Sequence, residues 1–355
     1  MRSNSVIAAF AASIPLLCAE PAVTQAQAEP SSRGEVAIRE VILSDGSRRY
    51  AVPVKVGAAV IDAGLDTGST GLRILPGVLA EADAKILGGG EDYSYGSGAE
   101  LRGEKGEGVI AVGGVSGISS VQLVRSVGCV SAKPRCPASR VALAQYGIQG
   151  DGLPGEGFKA ILGANMSHTR IDNPFMALGI RRWIVELPRP GENAPGRIIL
   201  NPKEAELEGF ALFPLNPSLS GLGGGRHDAI PGCLINDVSK AKVCGAVTLD
   251  TGAPGIDVHN GGLGSTPWPN GTKATLGFYD ASGHLKAAEA LVVGQRAQAS
   301  HLAFSEEPRV SGATIFSGLA VYLAFDVLYD AEHQLIGLKA RAPAPGGPMA
   351  VAPGT

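Results

Sequence analysis

Val60-Ile61-Asp62-Ala63-Gly64-Leu65-Asp66-Thr67-Gly68-Ser69-Thr70-Gly71-Leu72 has a counterpart in the other half of the chain, Ala246-Val247-Thr248-Leu249-Asp250-Thr251-Gly252-Ala253-Pro254-Gly255-Ile256. Each stretch makes an apolar approach, runs into Leu-Asp-Thr-Gly, and then places a further glycine followed by an aliphatic residue. One such stretch would say little, because strands commonly end in Asp-Gly turns. Two with matched flanks point to two halves that each deliver one carboxylate. Carboxylates that meet can share a proton and activate a water. The bland alternative is that Asp66 and Asp250 are turn-capping residues of a structural repeat.

Around these stretches the chain reads as all-β. Its 355 residues include 50 glycines and 24 prolines, and 45% are apolar, enough for a sizeable core. Short Val/Ile/Leu runs are punctuated by Gly, Asn, Asp and Pro, and helical periodicity is scarce. Apolar residues alternate across 36–56 around Ser44-Asp45-Gly46-Ser47, which predicts a hairpin. Residues 59–65 form the strand that delivers Asp66, and strands are expected at 109–115, 121–127, 160–163 and 324–329. Helices are expected over 78–87 and 173–178. The turn-rich run from Pro188 to Gly196 marks a domain boundary, giving halves of 29–190 and 191–341 and a disordered tail over 342–355.

Residues 1–28 have the form of an export signal, with Arg2, an apolar stretch too short to span a bilayer, and Ala26-Gln27-Ala28 before a mature start near Glu29. A lipoprotein site at Cys18 is disfavoured by Leu17, where processing needs a small residue. Export to a periplasmic or extracellular compartment leaves four cysteines, Cys129, Cys136, Cys233 and Cys244. Three disulfide connectivities are possible, and two local bridges, 129–136 and 233–244, are the simplest. The spacing is wrong for paired zinc knuckles. The net charge of −3 argues against nucleic acid as the main partner, and no later segment suits stable membrane insertion. His168, His227 and His259 show neither metal-ligand spacing nor a partnered nucleophile. The glycine run Gly221–Gly225 is not followed by Gly-Lys-Ser/Thr, so it reads as a flexible loop. No cofactor or metal is expected.

The two Asp motifs resemble those of the pepsin-like aspartic peptidases. Tyr95-Gly96-Ser97-Gly98 is similar to that family's flap tip, and Ile161-Leu162-Gly163 to the strand that closes the loop around the first aspartate. The ending Phe325-Asp326-Val327-Leu328-Tyr329-Asp330 through Ile336-Gly337-Leu338 is similar to its last hairpin. The resemblance covers about residues 36–340 and is specific at the motifs and loose between them. It implies a bilobal, pseudo-symmetric β fold with a cleft, and a monomeric endopeptidase cutting extended polypeptides at acid pH. Asp66 and Asp250 would be catalytic. Thr67 and Thr251 would lock the two loops together, Gly68 and Gly252 would allow close approach, Ser69 would donate to Asp66, and Tyr95, Gly96 and Ser97 would cover the substrate. The alternative is a non-catalytic peptide- or protein-binding module that kept the fold.

Several features depart from the family. Ala253 lacks the hydroxyl usual after the second motif, which is expected to raise the pair's pKa. The tryptophan that usually supports the flap tyrosine is absent. The second apolar-apolar-Gly strand is degraded to Phe316-Ser317-Gly318. The segment before the first strand leaves no room for a long prosegment. These traits are more similar to bacterial pepsin homologues.

Overall fold

The computed structural model describes residues 32–190, 192, 195–215, 228–260, 267–306, 312–344 and 346–351. The segment expected to be a leader at 1–28, with its expected cleavage site, and Cys18, Gly221–Gly225 and His227 lie outside the described residues.

The protein is all-β. The first half comprises β1 (Gly34–Ile42), β2 (Arg48–Val56), β3 (Ala59–Asp66), β4 (Thr70–Ile74), β5 (Lys85–Ser94), β6 (Ala99–Val112), β7 (Val115–Cys129), β8 (Ala160–Ala164), helix α1 (Pro174–Ala177), β9 (Arg182–Glu186) and β10 (Gly196–Leu200). The second comprises β11 (Ala211–Pro214), β12 (Ala229–Asn236), β13 (Lys242–Thr248), β14 (Ile256–Asn260), β15 (Lys273–Tyr279), β16 (Leu285–Val292), β17 (Leu302–Glu306), β18 (Ala313–Phe316), helix α2 (Ala320–Ala324), β19 (Phe325–Asp330), β20 (Leu335–Ala340) and β21 (Met349–Val351).

Period-two patterning explains the hairpins. In β1, Val36 and Ile38 are buried while Glu35, Ala37 and Arg39 face outward. The turn into β2 closes when the Gly46 N–H donates to the Leu43 carbonyl, with Asp45 accepting from Ser47. Most of the first half lies in a 13-stranded sheet and most of the second in an 8-stranded sheet. They share a core in which Phe278 of β15 meets Phe213 of β11 and Phe325 of β19 edge-on.

Both motifs sit in the same local topology. β3 runs parallel to β8, β4 runs antiparallel to β8 and parallel to β7, and Gly71 faces Gly163. In the second half β13 runs parallel to β18, while β14 runs antiparallel to β18 and parallel to β17. There Gly318 lies so close to Gly255 that a Cβ on it would stand 2.1 Å from the Gly255 carbonyl oxygen. Phe316-Ser317-Gly318 therefore closes its loop as Ile161-Leu162-Gly163 does, because the close approach needs only the glycine.

Three expectations need correction. Residues 78–84 are turns rather than helix, and 85–87 begin β5. Asp83 takes the Ala58 and Ala80 N–H groups on its two oxygens, tying this segment into a compact loop instead of a helix. The boundary at 190/191 falls inside the β9–β10 hairpin, whose strands pair from Trp183↔Leu200 to Arg197↔Glu186. β9 also pairs with β19, so one sheet spans both halves of the sequence, and the Pro/Gly-rich run is a hairpin loop rather than a linker. Within the tail at 342–355, Met349–Val351 adds an edge strand to β16, whose outer side offers unpaired backbone groups.

Candidate active site

β3 ends at Asp66, and β13 leads through Leu249 to Asp250. The loops interlock. The Thr67 N–H donates to Thr251 Oγ1 at 3.0 Å, and the Thr251 N–H donates to Thr67 Oγ1 at 2.9 Å. Each hydroxyl donates onward to the carbonyl preceding the other aspartate, Thr67 to Leu249 at 2.9 Å and Thr251 to Leu65 at 3.0 Å. Asn165, just beyond β8, braces the first loop by donating its side-chain amide to the Thr67 carbonyl and its backbone N–H to the Ser69 carbonyl.

This interlock brings the carboxylates together. A Cβ on Gly68 would lie 2.4 Å from Asp250 Cγ, and one on Gly252 would lie 2.6 Å from Asp66 Oδ1 and 3.0 Å from Asp250 Oδ1. The two Oδ1 atoms are thus less than about 6 Å apart, within the range where one charge moves the titration of another. The Asp250 carboxyl is in hydrogen-bonding reach of Asp66. Only glycine fits at 68 and 252, because each backbone passes against the opposite carboxylate.

Asp66 is buried and accepts from the Gly68 N–H at 3.0 Å and from Ser69 Oγ at 2.6 Å. Asp250 is half-buried and its carboxyl accepts the Gly252 N–H at 2.8 Å, while the Ala253 N–H turns to the Asp250 carbonyl and position 253 offers no hydroxyl. Burial, and next the negative charge of Asp66, push the Asp250 carboxyl well above the ordinary range. Such a pair can hold one proton between two carboxylates and bind a water.

Tyr95 to Gly98 form the tip of the β5–β6 hairpin. The Gly98 N–H donates to the Tyr95 carbonyl, and Ser97 Oγ accepts from Ala99. Lys133 donates to the Gly96 carbonyl at 2.6 Å, which seats the tip on the loop closed by the Cys129–Cys136 disulfide. The second disulfide, Cys233–Cys244, joins directly paired residues of β12 and β13. Tyr95 packs on a small core of Leu75, Leu101, Val124 and Tyr146, with its hydroxyl buried and unpartnered.

Three further groups at the site were not singled out in the sequence. Tyr93 packs edge-on against Tyr95, and burial pushes its phenol up to about 12. Arg73, buried in β4, stacks its guanidinium on the Tyr93 ring with Cζ 3.4 Å from the centroid. The available signal was a cation inside the apolar run Leu72-Arg73-Ile74-Leu75 next to the motif. Tyr322, bonded to Thr67, offered no sequence signal.

His259 Nε2 contacts Asp257 Oδ2 at 2.9 Å, so this histidine is held by a carboxylate. His168 is exposed. Among the described residues no three His, Cys, Asp or Glu side chains are grouped to hold a metal, and no helix is long and apolar enough to cross a membrane. No protein-family model matches the chain, and no curated protein matches it.

Proposed function

We propose that the chain is an aspartic endopeptidase of the pepsin-like type, with two β lobes meeting at a cleft that carries Asp66 and Asp250. One observation carries this proposal: two sequence-distant Asp-Thr-Gly loops exchange reciprocal threonine bonds and hold their carboxylates against each other. A structural repeat of turn-capping aspartates would have no need to bury two acids face to face, where like charges oppose ionisation.

The pair works as a unit holding one proton. A water bound between the carboxylates attacks the peptide carbonyl. The ionised oxygen takes the water's proton while the protonated one donates to the carbonyl oxygen, giving a tetrahedral intermediate without a covalent enzyme adduct. The β5–β6 hairpin would lie over a substrate strand whose backbone hydrogen bonds set its register. Two disulfides suit an oxidising compartment, in keeping with the export signal at the N-terminus.

The test is cleavage of a peptide library between pH 3 and 7, roughly the range over which such dyads titrate, by wild type, Asp66→Asn and Asp250→Asn. Cleavage by wild type and its loss in both variants is expected. Retention of activity in either variant overturns the assignment. Binding of a statine-type peptide without cleavage by wild type would favour a binding module instead.

A further inference from the structure

We propose that Arg73 is a positioning residue of this site, holding Tyr93 against the loop that follows Asp66 and serving as the counter-charge of the aspartate pair. The proposal deepens the aspartic-peptidase reading and rests on it.

β4 is buried along its whole length, and Arg73 is only 1% exposed. A buried guanidinium is expensive unless its charge is met by an opposite one. Among the described residues, no carboxylate lies within ion-pairing distance of it. Its hydrogen bonds go to neutral carbonyls, from Nη1 to Thr70 at 2.6 Å and to Gly71 at 3.3 Å. Its Nε is buried with no partner. Those two carbonyls belong to the loop that follows Asp66, so the guanidinium is anchored to the motif itself. Gly71 takes a positive φ of 99°, which turns its carbonyl in a direction most residues resist.

On this anchored plane lies the Tyr93 ring, at a separation suited to cation–π attraction. Ser69 of the same loop donates to Asp66 Oδ2. Arg73 thus ties the hairpin that carries Tyr93 to the loop that carries Asp66 and Ser69, through the ring contact on one side and the Thr70 and Gly71 carbonyls on the other. The charges acting on the Tyr93 phenol are those of Arg73, Asp66 and Asp250, and they oppose one another. Around the same enclosure stand Tyr95 from the hairpin and Tyr146 from the neighbouring loop, both neutral phenols that burial holds above their ordinary range. The other buried anion on this side is Glu91, two residues before Tyr93 in β5, and it pairs with Arg170 at 3.4 Å. The dyad's single negative charge is then what compensates Arg73, and Arg73 in turn favours the singly ionised pair over the fully protonated one.

The test compares pH profiles of kcat/KM for wild type, Arg73→Met, Arg73→Lys and Tyr93→Leu. Without the cation the pair ionises less readily, so in Arg73→Met the acid limb should move toward neutral by about one pH unit. Arg73→Lys should leave the limb in place while lowering kcat, because the charge stays and the planar fork is lost. Tyr93→Leu should lower kcat more than it raises KM. A purely structural arginine would lower activity at every pH alike, so an unmoved acid limb in an active Arg73→Met enzyme overturns the proposal.

A second measurement needs no turnover and stands apart from the peptidase reading. Thermal unfolding of Arg73→Met, the doubly neutralised Asp66→Asn/Asp250→Asn chain and the combination of all three substitutions forms a cycle. At neutral pH, Arg73→Met should cost less in the doubly neutralised background, where the cation has already lost its counter-charge. Below pH 3 the difference should vanish. Additive losses at neutral pH would sink the counter-charge role. If Arg73→Met fails to fold, the cycle is run with Arg73→Gln. Absence of cleavage by wild type, with coupling present in the cycle, would reject the peptidase assignment alone.

Discussion

Tyr322 donates its phenolic hydrogen to Thr67 Oγ1 at 2.6 Å. Donor accounting fixes the direction. Thr67 has one hydroxyl hydrogen, and it goes to the Leu249 carbonyl, while the Thr251 N–H already donates to Thr67 Oγ1. Tyr322 must therefore be the donor, and its oxygen accepts from Tyr329 at 2.5 Å. A directed chain runs from Tyr329 through Tyr322 and Thr67 to Leu249, fully buried beneath the aspartates. Among the described residues no phenol bonds Thr251 Oγ1, whose further contact is Thr67 Oγ1 itself at 3.4 Å, so the interlock is asymmetric. Tyr322→Phe is expected to destabilise the fold by about 1–2 kcal/mol, because it leaves the Tyr329 hydroxyl without its acceptor. Chemical denaturation of wild type and variant would measure this.

Gly68→Ala and Gly252→Ala test the closeness of the two loops. The added methyl at 68 would meet Asp250 Cγ at 2.4 Å, and that at 252 would meet Asp66 Oδ1 at 2.6 Å. Real atoms do not tolerate such contacts, so either the carboxylates turn away from each other or the loops separate, and both break the pair. We expect roughly 1–3 kcal/mol of destabilisation from overpacking and loss of about 100-fold or more in kcat, the scale at which small misplacements act. Near-normal kcat in a folded Gly68→Ala variant would mean that the carboxylates do not work as a pair.

Which parts of this arrangement were legible in the sequence depended on how local their causes are. The motif strands, the β1–β2 hairpin and α1 with its Asn173 N-cap all follow from nearby residues. The helix expected over 78–87 failed because Asp83 is captured by the backbone of Ala58, a partner far away in sequence. α2 is buried on every side, so it lacks the polar face that would mark it. The hairpin at 188–196 looked like a linker because turn residues do not reveal what their flanking strands pair with. The role of Arg73 is not legible from its strand alone, because its burial follows from the fold placing β4 between β7 and β8.

Ala253 leaves the two aspartates unequally served. Ser69 Oγ bonds Asp66 at 2.6 Å, whereas the Asp250 carboxyl has a backbone donor alone. A hydroxyl at 253 would stabilise the ionised form of Asp250 and lower the titration of the pair. The acid limb of the pH–rate profile should therefore move to lower pH in Ala253→Thr, by on the order of half to one unit. Ala253→Val has the same shape without the donor and should leave the limb where wild type has it. A shift of equal size in both variants would show that volume, not hydrogen bonding, is responsible.

Glu289 makes the fold itself sensitive to pH. It lies on the face of β16 that carries Ala287 and Leu291 into the core, fully buried, with neither carboxyl oxygen hydrogen-bonded. Burial alone pushes its carboxyl up to about 8. Below about pH 4.5 the acid is neutral in both folded and unfolded chains and has no electrostatic cost. As pH rises from there to about 8, the unfolded chain gives up the proton and the folded one keeps it, so stability falls continuously. At pH 7 the loss is roughly 3 kcal/mol. Asp228, pushed up to about 7, and Asp326, pushed up to about 6, act in the same direction, again chiefly through burial. A fold carrying such groups is most secure in acid, where the proposed chemistry would run. Glu289→Gln should flatten the decline in unfolding free energy between pH 5 and 8, and Glu289→Met should raise stability at pH 7 while changing little at pH 4, by the same linkage. Denaturant unfolding across that range would measure both, and a wild-type curve parallel to the Glu289→Gln curve would mean that Glu289 ionises freely in the folded protein.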